Sequence, residues 1–329
     1  MGEVAPQTSE KLPTERAEHM TTNPSATPRP ATIPGPDPNT RRPRVKFPAG
    51  ACDCHAHVFG PQCPFPYLPN AAYIPPDALP QDYARMLTTI ACQRAVLVQP
   101  SVYGADNRCM VAALTSGVFN FRGVAVVRED IGDAELDALH QAGVRGVRIN
   151  VASKTAGLTM EQAPRLAARI TRLGWHLQFF LRIEQSSSFE REVADLPVPC
   201  VIDHFGHVHA ADGVGSKGFE TLLRLARLTH VWFKLTGPYR ISERRPLYPD
   251  VAPLAQALVA AAPDRCVWGT DWPHPNADHM PNDGDLADAL AEWLPDAAVR
   301  HKVLVGNPAR LYDFARPDRA SGKGGSGAS

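Results

Sequence analysis

The chain has no excess charge of either sign: Lys+Arg and Asp+Glu both number 34. It shows no long basic stripe, which argues against nucleic acid as a partner. No run of about eighteen apolar residues exists to span a membrane. The N-terminus lacks the apolar core of a secretory signal, so a cytoplasmic location is the expectation. Seven cysteines scattered over 329 residues do not form a disulfide framework, and reduced, buried thiols are expected. No Gly-rich dinucleotide or phosphate loop follows the first apolar run. There is no internal repeat.

What the chain does have is alternation. Strand-like apolar runs lie near 51–57, 95–99, 122–127, 145–150, 176–182, 199–204, 231–236 and 265–270. Helical patterns fall near 80–91, 106–116, 132–142, 160–173, 186–195, 217–229, 252–262 and 284–294. Eight strands, nearly all followed by a helix, predict a single-domain (β/α)8 TIM barrel over 46–316. A doubly wound open sheet is the second choice, weakened by the missing Gly-rich loop. A last helix near 297–314 should pack across the outside or the bottom of the barrel. Residues 1–45, with prolines at 24, 28, 30, 34, 36, 38 and 43, read as a disordered Pro-rich arm, or as an extended arm lying on the domain or on a neighbouring subunit. Met20 is an alternative start. Residues 317–329 read as a flexible tail. The Pro- and aromatic-rich segment 58–79 follows the first strand and should hang over the mouth, as a lid or as a rigid loop.

Two strings far apart carry the chemistry: Asp53-Cys54-His55-Ala56-His57 and Gly269-Thr270-Asp271-Trp272. Side chains two apart on a strand share a face, so His55 and His57 point together, and Cys52 and Cys54 should face the helices. Barrel closure brings strands one and eight side by side, with Asp271 beside both rings. His204 ends strand six and should also face the mouth. Two or three imidazoles and a carboxylate there suit a metal site (His55, His57, Asp271, His204) or a metal-free hydrolytic site. The Trp and Pro residues around Asp271 should form a dry wall that raises its pKa towards that of a useful base. Basic and polar groups at other strand ends suggest an anionic substrate: Arg148, Lys154, Arg240, Ser101, Tyr103, Asn107 and His207. Of Arg145 and Arg148, which have opposite parity, Arg148 should face inward. Strand five has no histidine at its mouth end, because His176 begins that strand.

The motifs DCHAHVFGP, QPSVYGADN, GVRGVRIN, IDHFGH, KLTGPYR, GTDWPHPN and GNPARLY resemble those of the amidohydrolase superfamily. They are most similar to its branch of lactone hydrolases, which acts on 2-pyrone-4,6-dicarboxylate and 4-sulfomuconolactone. The resemblance runs from about 45 to 315. It implies hydrolysis of a small anionic lactone in bacterial aromatic catabolism, with Asp271 as base towards water and His55, His57 and His204 polarising the carbonyl or binding metal. Zinc and a metal-free mechanism both stay open, and a homodimer is compatible with it. Against the pyrone-hydrolysing pattern, Phe180 stands in place of Tyr, and Lys154 and His207 in place of Arg. These departures favour 4-sulfomuconolactone, with maleylacetate and sulfite as products. The alternatives are the pyrone dicarboxylate, a decarboxylase on the same scaffold, and a non-catalytic barrel that binds an aromatic acid.

Overall fold

A computed structural model describes residues 1–2, 31–151 and 158–315. Eight parallel strands form one sheet: β1 (Cys52–Ala56), β2 (Arg94–Val98), β3 (Phe121–Ala125), β4 (Val144–Asn150), β5 (His176–Phe180), β6 (Cys200–Ile202), β7 (Val231–Thr236) and β8 (Cys266–Gly269). Each pairs with its sequence neighbour. Just beyond the strand ends, β8 meets β1. His57 N donates to Trp272 O (2.7 Å) and Asp271 N to His55 O (2.8 Å). The sheet is therefore a barrel, and closure places Asp271 beside the β1 histidines.

Helices α1 (Pro80–Thr89), α2 (Arg108–Thr115), α3 (Asp133–Gln141), α4 (Ala163–Ile170), α5 (Phe189–Ala194), α6 (Lys217–Leu225), α7 (Ala252–Ala261) and α8 (Asp283–Trp293) follow the strands in turn. The apolar period explains how they dock. In α4 the buried residues are Ala163, Leu166, Ala167 and Ile170, the i, i+3, i+4, i+7 stripe of a helix lying on a sheet. Ser216 starts α6 by accepting from Phe219 N, as an N-cap should.

The barrel interior is a separate apolar layer of Cys52, Cys54, Val96, Val98, Val124, Val201, Trp232 and Val267. Leu311, which ends the last helical segment, and Tyr312 and Phe314 just after it close its lower end. Cys52 and Cys54 thus face the axis, contrary to the parity argument. The β1–β2 register shifts between Asp53 and Ala56, and this irregularity lets both Cys54 and His55 point inward. Asp53 faces the seam instead. It accepts from Thr270 N (3.0 Å), Thr270 Oγ1 (2.5 Å) and His55 N (3.1 Å). Gly269 permits that approach, since a Cβ there would lie 2.6 Å from His55 N. Burial pushes the Asp53 carboxyl up to about 6.

Residues 31–45 take the second reading of the N-terminal stretch, an extended arm lying on the domain. Ala31–Thr32 pairs in parallel with Tyr73–Ile74 in the loop over the mouth. Arg41 and Arg44 both reach Asp288 of α8 (2.5 and 3.1 Å), whose side chain is 1% exposed. The mouth loop is itself tied down: Phe59 and Ala78 exchange backbone hydrogen bonds and Gly60 N donates to Tyr103 Oη (2.8 Å). Residues 3–30, with Met20, and 316–329 lie outside the described residues, as does Lys154. Among the described residues, no helix is long and apolar enough to cross a membrane.

Candidate active site

The mouth holds a cavity of about 200 Å³ bordered by His57, Tyr73, Ser101, Arg148, Phe180, His204 and Arg240, among others. That is room for a small organic acid. His55 and Asp271 lie beneath it, both fully buried. The backbone at the mouth is unusual: His204, Phe205, His207, Asp271, His274 and Asn276 all have φ between +48° and +67°. Such conformations cost roughly 1–3 kcal/mol each in non-glycine residues and cluster at functional sites.

Asp271 is the hub. Its Oδ2 accepts from Tyr239 Oη (2.6 Å) and Arg240 Nε (2.7 Å). Its Oδ1 has no hydrogen-bond partner among the described residues and lies 3.5 Å from His57 Nε2 and 3.7 Å from His55 Nε2. Burial raises the carboxyl pKa, but the Arg240 guanidinium outweighs it and holds it well below the usual range. This corrects the expectation of a raised pKa. Trp272, the supposed dry wall, turns outward and stacks on Tyr83 of α1 (4.9 Å), whereas a cation stands next to the carboxylate.

The histidines are neutral. Burial lowers His57 and His204, and burial with the nearby Lys234 charge lowers His55 to about 3. His57 Nδ1 lies 2.7 Å from Val98 O. A carbonyl only accepts, so that nitrogen carries the proton and Nε2 keeps a lone pair. His204 Nδ1 lies 2.8 Å from Thr236 Oγ1, and its ring is 4.6 Å from that of His55.

Below the histidines runs a second polar layer that the sequence reading passed over. Asp203 Oδ2 accepts from Arg148 Nε and Gln178 Nε2, both at 3.1 Å. Burial raises Asp203, but Lys234 and Arg148 bring it well below the usual value. Lys234, fully buried and lowered by that burial to about 8, donates to Cys54 O (2.8 Å) and approaches His55 Nδ1 (3.3 Å). The alternation in KLTGPYR and IDHFGH offered a signal, since Lys234 lies within strand seven and Asp203 directly follows strand six. With Arg148, Arg240 and Lys234 against Asp203 and Asp271, the site holds three cations and two carboxylates, a balance that favours an anionic ligand.

The other expected residues divide. Arg148 faces inward and stacks on Phe180 (4.7 Å), while Arg145 turns to the His140 carbonyl and Asp313. Ser101 lines the cavity. His207 stands behind it, its Nδ1 2.9 Å from Leu181 O and its ring 4.7 Å from Phe180. Tyr103 and Asn107 are placed away from the cavity, contrary to expectation. The Tyr103 hydroxyl accepts from Gly60 N, and the Asn107 amide donates to Ala105 O and Val126 O. Both residues fix loops: Tyr103 holds the mouth loop at Gly60, and Asn107 ties the turn after β2 to the end of β3. His176 lies at the closed end, its ring 5.3 Å from Tyr312.

His55, His57 and Asp271 each offer a ligand atom within 4.8 Å of the others, close enough to hold a metal ion. The hydrogen bonding opposes one. Asp271 Oδ2 is taken by Tyr239 and Arg240, and His55 Nδ1 faces an ammonium. That positive charge beside the ring opposes a second cation on the same histidine.

The comparisons with known proteins agree with this geometry. The amidohydrolase family model matches residues 52–314. The 2-pyrone-4,6-dicarboxylate hydrolase of Comamonas testosteroni is 41% identical over 285 residues, covering 83% of this chain and 93% of its own. The 4-sulfomuconolactone hydrolase of Rhizobium radiobacter is 39% identical over 282 residues, covering 84% and 94%. An apo crystal structure from Agrobacterium tumefaciens superposes with a TM-score of 0.76 at 27% identity, covering 83% of this chain and 99% of that one. With the barrel, the β1 histidine pair and the β8 aspartate in the positions the motifs foretold, this chain belongs to the amidohydrolase family.

Proposed function

We propose that this protein hydrolyses a small anionic lactone, with 4-sulfomuconolactone as the first substrate to test. The observation that carries the reading is the pairing of two bare acceptors, His57 Nε2 and Asp271 Oδ1, 3.5 Å apart beneath a cavity flanked by Arg148 and Arg240. A water seated over both on the cavity side donates a hydrogen to each and turns a lone pair towards the ligand.

The steps then balance. Water adds to the lactone carbonyl as Asp271 takes its proton, a general-base contribution of about 10²–10⁴-fold. His55 and His204 stabilise the developing oxyanion. The ring C–O bond breaks, and the departing oxygen recovers the proton, giving a hydroxy acid. Where the ring carbon also bears a sulfonate, the opened hydroxysulfonate expels sulfite and becomes a ketone, here maleylacetate. Arg240 keeps Asp271 weakly basic in the empty site. A substrate carboxylate that engages Arg240 loosens that hold and makes the base stronger. Seven free cysteines, six of them buried, support a reducing, cytoplasmic setting.

Phe180 supports the sulfonated substrate, since its ring holds Arg148 by stacking and offers no hydroxyl to a second carboxylate. The 41% identity to a pyrone dicarboxylate hydrolase supports that lactone as the second reading. The test is incubation of purified protein with each lactone, following lactone loss and sulfite, with and without a zinc chelator. Sulfite release unaffected by the chelator supports the metal-free reading. Loss of activity on chelation, restored by zinc, overturns the metal-free part and makes His55, His57, His204 and Asp271 zinc ligands. Carbon dioxide release instead of lactone opening revives the decarboxylase.

A further inference from the structure

We propose that Lys234 is a positioning residue that fixes the tautomer of His55, so that His55 presents an Nε2–H donor to the substrate while its neighbour His57 presents a bare Nε2. Only the kinetic consequence rests on the lactone-hydrolase reading.

Lys234 sits in the middle of β7 with 0% exposure, below the cavity and out of reach of a ligand. Its Nζ lies 2.8 Å from Cys54 O, 3.3 Å from His55 Nδ1 and 3.7 Å from Asp203 Oδ1. An ammonium carries three donors and no acceptor. With Lys234 donating to it, His55 Nδ1 is the lone-pair nitrogen, and the single ring proton of a neutral imidazole goes to Nε2. That Nε2 is buried, has no partner among the described residues and points towards Asp271 Oδ1. His57 has the opposite arrangement, because its Nδ1 faces the Val98 carbonyl at 2.7 Å. Two rings 5.1 Å apart thus offer one donor and one acceptor, the pair that a carbonyl under attack by water requires.

A competing partner is in place. Asp203 Oδ1 lies 3.4 Å from His55 Nδ1 and has no hydrogen-bond partner among the described residues, while Oδ2 is held by Arg148 and Gln178. Without the Lys234 ammonium, Asp203 Oδ1 captures the Nδ1–H form and His55 Nε2 becomes an acceptor. A lysine that served only to neutralise Asp203 would leave the proton of His55 unspecified.

The experiment is ¹⁵N–¹H NMR of the histidine rings in the full chain at neutral pH, with the His55 signals assigned by their loss in His55→Gln. The wild-type protein should show the Nε2–H tautomer at His55 and the Nδ1–H tautomer at His57. Lys234→Met should convert His55 to Nδ1–H and lower kcat by roughly 10²–10³-fold, the range for removing one oxyanion donor, with a much smaller change in KM. An Nδ1–H tautomer at His55 in the wild type, or an unchanged tautomer in Lys234→Met, overturns the proposal. If Lys234→Met fails to fold, the wild-type spectrum still decides. If the wild type opens neither lactone, the function fails while the spectrum judges Lys234 independently.

Discussion

Replacing Asp271 by Asn separates chemistry from stability at this site. The structure gives the amide good partners. Its oxygen can accept from Tyr239 Oη and Arg240 Nε, now at 2.6 and 2.7 Å. Its NH2 can donate to His57 Nε2, 3.5 Å from Oδ1. The Arg240 charge loses its counter-ion, but it keeps its hydrogen bonds and is 17% exposed to water, so the cost falls below the 3–5 kcal/mol that follows removal of one partner from a fully buried ion pair. What disappears is the proton acceptor. At about 1.36 kcal/mol per decade, a lost general-base factor of about 10²–10⁴ raises the barrier by about 3–5 kcal/mol. Turnover of the lactone, measured by its absorbance, should fall by that factor, and thermal melting should stay within a few degrees of the wild type. Turnover within threefold of wild type would refute Asp271 as the base. A collapsed melting temperature would refute the hydrogen-bond accounting.

Because Arg240 holds Asp271 well below the ordinary carboxylate range, the base stays ionised as pH falls. The acid limb of kcat/KM should lie below pH 4, whereas a limb centred near 6 would assign the base to another group. The seam carboxylate Asp53 behaves oppositely: with a pKa raised to about 6 in the fold against about 3.9 unfolded, it binds more protons folded than unfolded. Its contribution to stability is therefore present below about pH 4 and lost as pH rises through 6. Melting at several pH values should show Asp53→Asn gaining on the wild type across that window, by up to about 3 kcal/mol; a difference flat with pH would contradict it. Arg41→Ala combined with Arg44→Ala strips both cations from buried Asp288 and loosens the arm strand beside Tyr73. The expected outcome is a lower melting temperature together with a raised KM, and a KM unchanged despite the lower melting temperature would show that the arm does not support the mouth.

The sequence by itself determined the eight strand–helix units, the inward face of Arg148 and the meeting of His55, His57, His204 and Asp271. Each depends on local periodicity or on chain order, which a barrel converts directly into position. It did not determine which nitrogen of each ring carries a proton, the ionisation of Asp271, or the inward turn of Cys54 next to His55. Those depend on atoms from other strands: the Lys234 ammonium from β7, the Arg240 guanidinium beyond it, and a register shift against β2. The loop-pinning of Tyr103 and Asn107 has the same origin. A residue after a strand can line the mouth or pin the loop, and only the packing of that loop on its neighbours decides which. Periodicity fixes the face a side chain takes, but hydrogen bonds and charge at close range, made only when the barrel closes, decide what that side chain can do.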